Sequence, residues 1–256
     1  MKLYINGEES STPNYLPYSE ALIRGDGLFE TILTNNENSI ALDRHILRIE
    51  KSAAFLKFKL PAQQDIKIVI SKILKDQSGF GKLRLVALSD GNWFVSLEKL
   101  EAGADQIQLT KFAWPTNSKS ALSGVKSISY GQSLFAIRQA KSNGFDDCVF
   151  VNESGVVAES GFSNLLILND LKWSTPALST GCLPGITREL LIEWFDIAEV
   201  EITYEQLISS QALYVTSSLR LIQRVGRLDH RVFDQNQVGT QLINQFKERL
   251  LSTINP

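Results

Sequence analysis

Four groups of residues have the types and spacing to do chemistry. Lys126 is followed four positions later by Tyr130. Glu159 closes an apolar run, where a carboxylate is costly unless it has a partner. Gly185-Ile-Thr-Arg188 opens a helical pattern, and a helix N-terminus with a hydroxyl is a ready anion site. Thr216-Ser-Ser218 ends another apolar run with three hydroxyls. Together they suit an anionic ligand beside a buried lysine, whose pKa burial would lower. They do not name the ligand. Singly, each has a plain reading: a solvated lysine, a core tyrosine, a strand-end carboxylate, a helix-capping threonine and turn hydroxyls.

Other chemistries lack the residues. The chain has two histidines, His45 and His230, and each fits a structural or solvent-facing place better than a catalytic triad. Zinc would need more ligands at metal spacing. Gly25-Asp-Gly27 lacks the third glycine of a dinucleotide loop. Ser123-Gly-Val-Lys126 matches Ser-x-x-Lys, but no Lys-Thr-Gly accompanies it.

The 256 residues can build one large domain or two modest ones, and 43% hydrophobic with 21% charged residues is ordinary for a globular chain. A net charge of −2 and no basic run predict no nucleic-acid partner. No apolar stretch reaches membrane length, and the N-terminus lacks a signal-peptide core, so no membrane association is expected. Cys148 and Cys182 lie far apart, which makes a reducing cytoplasm the expected compartment.

The elements that must position these residues follow from periodicity. Strands are expected at Leu3 to Asn6, Leu28 to Leu33, Lys82 to Leu88 and Trp93 to Leu97. Helices are expected at Asp43 to Phe58, with Asp43 as N-cap, and at Gln64 to Asp76. Trp114 to Gly124, rich in Ser, Asn, Pro and Gly, reads as a linker between a small α/β domain at 1–113 and a larger β-rich domain at 125–256. There the pattern predicts a helix from Ser133 to Ser142, strands at Asp147 to Val151, Val156 to Glu159 and Asn164 to Leu168, and a helix from Thr187 to Phe195. Strands at Ala212 to Thr216 and Leu221 to Val225 follow, then an amphipathic helix bearing Leu242, Phe246 and Leu250. Strands and helices mixed without regular alternation predict an α+β fold in two lobes.

These motifs, in order, resemble the class IV aminotransferase family, the pyridoxal-phosphate proteins of fold type IV. Arg24-Gly-Asp-Gly-Leu-Phe-Glu-Thr31 is similar to its Gly-Asp-Gly-x-Phe/Tyr-Glu segment, and Leu42-Asp-Arg-His-Ile-Leu-Arg48 to its His-x-x-Arg helix. Gly124-Val-Lys-Ser-Ile-Ser-Tyr130 is similar to Gly-x-Lys-x-x-Asn-Tyr. Gly155 to Asn164 resembles Gly-x-Val-x-Glu followed five residues later by Asn, and Thr175 to Arg188 resembles the Thr-Pro…Leu-x-Gly-Ile-Thr-Arg segment. The resemblance implies that Lys126 forms a Schiff base with pyridoxal 5'-phosphate and that Glu159 faces the ring nitrogen. It further implies Arg48, Ile186, Thr187, Ser217 and Ser218 at the phosphate, Tyr130 at the phenolic oxygen and Leu183 on the ring face. Phe29 and Arg84 are the substrate candidates. A small-molecule amine substrate and a homodimer are expected.

Within the family, Phe29 and the stretch after Arg84 argue against the D-amino-acid branch. Leu183-Pro-Gly-Ile-Thr-Arg188 and Thr216-Ser-Ser-Leu-Arg220 look most like 4-amino-4-deoxychorismate lyase, although that enzyme usually has Asn at the position of Ser217. The expected reaction is therefore release of 4-aminobenzoate and pyruvate. A small aminotransferase, of branched-chain rather than D-amino-acid type, and a non-catalytic cofactor binder are the alternatives.

Overall fold

The computed structural model describes residues 1–12, 16 and 18–256. The chain divides into two compact units, one of 1–102, 125–130 and 250–256, the other of 103–124 and 131–249.

The first unit contains β1 (Lys2–Ile5), β2 (Glu8–Glu9), α1 (Glu20–Arg24), β3 (Gly27–Asn35), β4 (Asn38–Ser39), α2 (Leu42–Leu56), α3 (Gln63–Leu74), β5 (Phe80–Leu88) and β6 (Trp93–Lys99). Its strands form an antiparallel sheet in the order β2-β1-β6-β5-β3-β4. The strands' two-residue period gives the sheet two unlike faces. Leu28, Ile32, Leu83, Leu85 and Val95 form one core with Ile46, Ile49 and Ala53 of α2 and Ile66, Ile70 and Ile73 of α3. Phe29, Val86 and Phe94 lie on the opposite face, packed with Leu22 and Ile128.

Asp43 is not the N-cap of α2. Ala41 occupies that position with φ 54°, and its side chain caps nothing. The donors at this helix start go elsewhere: Ala41 N–H to Ile254 O at 2.7 Å, and Asp43 N–H to the Asn255 side chain at 3.1 Å. The Asp43 carboxylate, in the first turn, pairs with Lys67 at 2.7 Å. It still places negative charge where the helix dipole favours it.

The second unit contains β7 (Gln106–Lys111), α4 (Gly131–Ser142), β8 (Asp147–Val151), β9 (Val157–Ser160), β10 (Asn164–Asn169), β11 (Lys172–Pro176), α5 (Ile186–Trp194), β12 (Ile197–Val200), α6 (Tyr204–Ile208), β13 (Ala212–Ser217), β14 (Leu221–Leu228), β15 (Arg231–Val232) and most of α7 (Gln237–Thr253). Its sheet runs β12-β11-β10-β13-β14-β7-β8-β9, with β15 paired to β14. The core is Ile107, Leu109, Val149, Val157, Leu165, Ile167, Leu213, Val215 and Val225. Leu242, Phe246 and Leu250 of α7 are buried, as their spacing requires.

The division differs from the one expected near residue 114. β7 pairs in parallel with β14 and β8, so the chain changes unit at 102–103. Residues 114–124 are a loop tied to the second unit, with Thr116 bridging Asn152 and Ser118 N–H bonding Glu153 at 2.8 Å. Val125–Tyr130 pairs instead with the start of β3. The loop's composition announced irregular backbone correctly, but its side-chain and bridge partners decide which unit holds it.

Among the described residues, no helix is long and apolar enough to cross a membrane.

Candidate active site

Lys126 is positioned by backbone pairing. Phe29 N–H donates to Lys126 O and Ile128 N–H to Gly27 O, each at 2.9 Å, on the edge of β3 that β5 leaves free. The close approach needs glycine at 27: a Cβ there would meet Ala87 O at 2.7 Å and Ile128 Cδ1 at 3.1 Å. The half-buried Lys126 amine lies 4.4 Å from the centre of the Phe29 ring and 3.4 Å from the Tyr130 hydroxyl. Phe29 and Tyr130 pack edge to face at 5.0 Å. Two aromatic side chains thus constrain the amine. Arg84, exposed on β5, shares the Phe29 face: it is in register with Thr31, as Phe29 is with Val86.

Beneath β3, on its other face, Glu30, His45 and Arg48 form a buried charged cluster. Arg48 Nε and Nη2 donate to the two Glu30 carboxylate oxygens at 2.9 and 2.5 Å, and His45 Nδ1 lies 2.6 Å from Oε2. Burial alone would raise the Glu30 pKa, but Arg48 and His45 outweigh it and hold the group down at about 2. Burial lowers the His45 pKa more than Glu30 raises it, so the imidazole is neutral at pH 7 and donates Nδ1–H. Arg48 therefore sits in the expected helix, already oriented by a carboxylate that sequence reading left out. The signal was present: on an inward-facing strand position, a glutamate needs a cation at helical reach.

In the second unit, Glu159 lies half-buried on β9. Its Oε2 accepts Leu183 N–H at 3.1 Å and lies 3.4 Å from Asn164 Nδ2, which donates to Leu183 O at 2.8 Å. Leu183 is thus joined directly to Glu159. Helix α5 begins at Ile186, with Gly185 as N-cap and no side chain capping it. Thr187 is inside the first turn, so it is not the cap. The first-turn N–H groups need an acceptor. Thr216 on β13 is in register with Asn164 on β10, which brings the Ser217 end of β13 beside the same strand start. Thr216 Oγ1 is buried and has no hydrogen-bond partner among the described residues. Ser217 Oγ accepts Arg220 N–H at 3.3 Å, and Ser218 follows it, half-buried. One end of this sheet therefore gathers Glu159, Leu183, Ile186, Thr187 and Ser217, with Asn164 among them. Asn164 was legible only as the last letter of the Glu-x-x-x-x-Asn spacing.

The turn after Glu159 is held from below. Buried Asp147 accepts Gly161 N–H at 3.0 Å and Cys148 N–H at 2.8 Å, and stands 3.7 Å from Arg220 Nη1. Burial raises its pKa against these contacts. Cys182, next to Leu183, is no nucleophile, because burial pushes its thiol up to about 11. His230 is exposed, and nothing in the site uses it.

In the second unit, a helix start without a side-chain cap, the buried Thr216 hydroxyl and the anchored Glu159 carboxylate suit the phosphate and ring nitrogen of pyridoxal phosphate. In the first unit, the aromatic-flanked Lys126 suits its aldehyde. The Amino-transferase class IV family model matches residues 27–228. The chain belongs to this family.

As a class IV aminotransferase-type enzyme it has relatives of nearly its own length. It is 26% identical to a provisionally named branched-chain-amino-acid aminotransferase of Methanocaldococcus jannaschii, over 97% of this chain and 95% of that protein. It is 25% identical to the aminodeoxychorismate lyase of Bacillus subtilis, over 85% and 83%. Its fold matches a hypothetical aminotransferase from Mycobacterium tuberculosis in pyridoxal-phosphate-bound form, with a TM-score of 0.89, 23% identity, and 99% and 100% coverage. The two-sheet α+β fold is that of fold type IV.

Proposed function

We propose that this class IV enzyme is a pyridoxal-phosphate-dependent lyase that converts 4-amino-4-deoxychorismate into 4-aminobenzoate and pyruvate. The observation that carries this reading is the placing of Arg84 relative to Lys126. Arg84 is a diagonal neighbour of Phe29 across β3 and β5, a step of about 7–8 Å in such pairs, and Lys126 Nζ lies over the Phe29 ring. Arg84, a cation on the face that Phe29 shares, is the candidate for a substrate carboxylate and Lys126 the amine-handling group, and a substrate whose amine and carboxylate stand at opposite ends of a six-membered ring would engage the two separately. An amino acid carries both on one carbon. The likeness to the Bacillus subtilis lyase supports the same reading.

Pyridoxal phosphate, when bound, supplies an electron sink for charge at the carbon bearing the substrate amine. Lys126 would hold it, and the lysine nitrogen would then take the proton from that carbon and return it to the departing enol oxygen. The ring becomes aromatic, and the released enol becomes pyruvate. Glu159 would keep the ring nitrogen protonated. Ile186 and Thr187 at the start of α5, with Ser217 and Ser218, would hold the phosphate, and the family resemblance assigns Arg48 to the same group. By the family resemblance, Leu183 would pack on the ring and Tyr130 would approach its phenolic oxygen.

Supplying 4-amino-4-deoxychorismate without a keto acid should release 4-aminobenzoate and pyruvate in equal amounts. A second reading, a branched-chain aminotransferase, is favoured by the match to the archaeal relative over 97% of the chain. No 4-aminobenzoate, together with amino-group exchange between an amino acid and a 2-keto acid, would decide for it and against the lyase. Replacing Arg84 with alanine should raise KM about 10- to 100-fold with little change in kcat, the signature of a lost charged contact to bound substrate. Unchanged KM would remove Arg84 from the site.

A further inference from the structure

Asn164 opens β10 and is 4% exposed. Its two near partners on the amide nitrogen side, Leu183 O at 2.8 Å and Glu159 Oε2 at 3.4 Å, are both acceptors. That fixes the amide: Nδ2 faces them and Oδ1 faces away. On that other side, a Cβ on Gly185 would lie 2.0 Å from Oδ1, so the chain approaches the amide at a position only glycine allows. Gly185 is the N-cap of α5 and also donates to Leu183 O at 2.8 Å. A single buried amide therefore touches the Glu159 carboxylate, the Leu183 carbonyl and the N-cap of α5.

We infer that Asn164 is a positioning residue that sets the direction of the Glu159 carboxylate and the place of the α5 N-terminus at once. The inference rests on the reading of those two groups as the ring-nitrogen and phosphate partners. An amide is required because the side chain must donate toward two acceptors while fitting against a glycine. Aspartate has the same shape but would set a second acceptor against Leu183 O and a second negative charge beside Glu159. Serine is too short to reach both.

The test is a double-mutant cycle with Glu159→Gln, reading pyridoxal-phosphate affinity by titration of enzyme stripped of cofactor. Asn164→Ser should weaken binding about tenfold in the Glu159 background, the effect of losing hydrogen bonds to a charged partner. In the Glu159→Gln background the same change should weaken it only about threefold, the part carried through Gly185 and the α5 N-terminus. Asn164→Asp should weaken it further than Ser. In addition, the pH at which the bound cofactor's visible absorption changes should move in Asn164→Ser, measured at saturating cofactor. A residue that only supports the fold would weaken binding equally in both backgrounds and leave that pH unmoved, and either result overturns the inference. Wild-type enzyme that takes up no pyridoxal phosphate overturns the underlying reading instead. Wild type that binds normally, with Asn164→Ser indistinguishable from it, overturns only the role of Asn164.

Discussion

Replacement of Lys126 by alanine is expected to lower kcat by at least about a thousandfold and to abolish covalent trapping of the cofactor by borohydride reduction. Lys126 is set by two backbone hydrogen bonds to the start of β3, and its amine is confined by the Phe29 ring at 4.4 Å and the Tyr130 hydroxyl at 3.4 Å. The fold should survive the change, because the pairing of Lys126 with β3 is made by its carbonyl and not its side chain. Steady-state kinetics and the circular dichroism of the variant measure both parts. Retained turnover would show that proton transfer belongs to another group.

The second large effect is on stability. Glu30→Ala should destabilise the protein by about 3–5 kcal/mol, because it leaves the Arg48 guanidinium buried without its carboxylate. Urea denaturation of cofactor-free protein measures this separately from cofactor binding. The same cluster makes the fold acid-sensitive. Glu30 titrates at about 2 in the folded chain against 4.5 ordinarily, so its contribution is full above 4.5 and is lost as pH falls toward 2. By linkage that difference amounts to about 3 kcal/mol. The His45 pKa is also lowered, so the unfolded chain takes up its imidazole proton first and stability begins to fall below 6.5. Both groups act in one direction. Unfolding free energy should decline from pH 6.5 downward in wild type, and more shallowly below 4.5 in Glu30→Gln. Equal slopes in the two proteins would contradict this role for Glu30.

The fold was legible where periodicity speaks. β8 was expected at Asp147–Val151 and lies there, and the amphipathic patterns of α2 and α3 placed both within two residues. β7 went unread although Ile107 and Leu109 alternate inward along it, since four polar neighbours dilute the signal. β11 ends in Pro176 and leaves little strand character in sequence. The start of α2 was misread because its donors are satisfied by residues 254 and 255, far along the chain and invisible to local spacing. The same holds for the site. Lys126, Glu159 and the α5 N-terminus stand out by residue type and position. Glu30 and Asn164 act through partners 18 and 19 residues away. Their spacing carries meaning only once β3 faces α2 and β10 adjoins the loop before α5.

The claim on which the rest depends is that Lys126 carries pyridoxal phosphate. Reduction of the cofactor-saturated enzyme with borohydride, followed by peptide mass mapping, tests it most directly. The account predicts a phosphopyridoxyl group on the peptide containing Lys126 and on no other. A group on a different lysine, or none on a protein that shows no visible cofactor absorption, would contradict it.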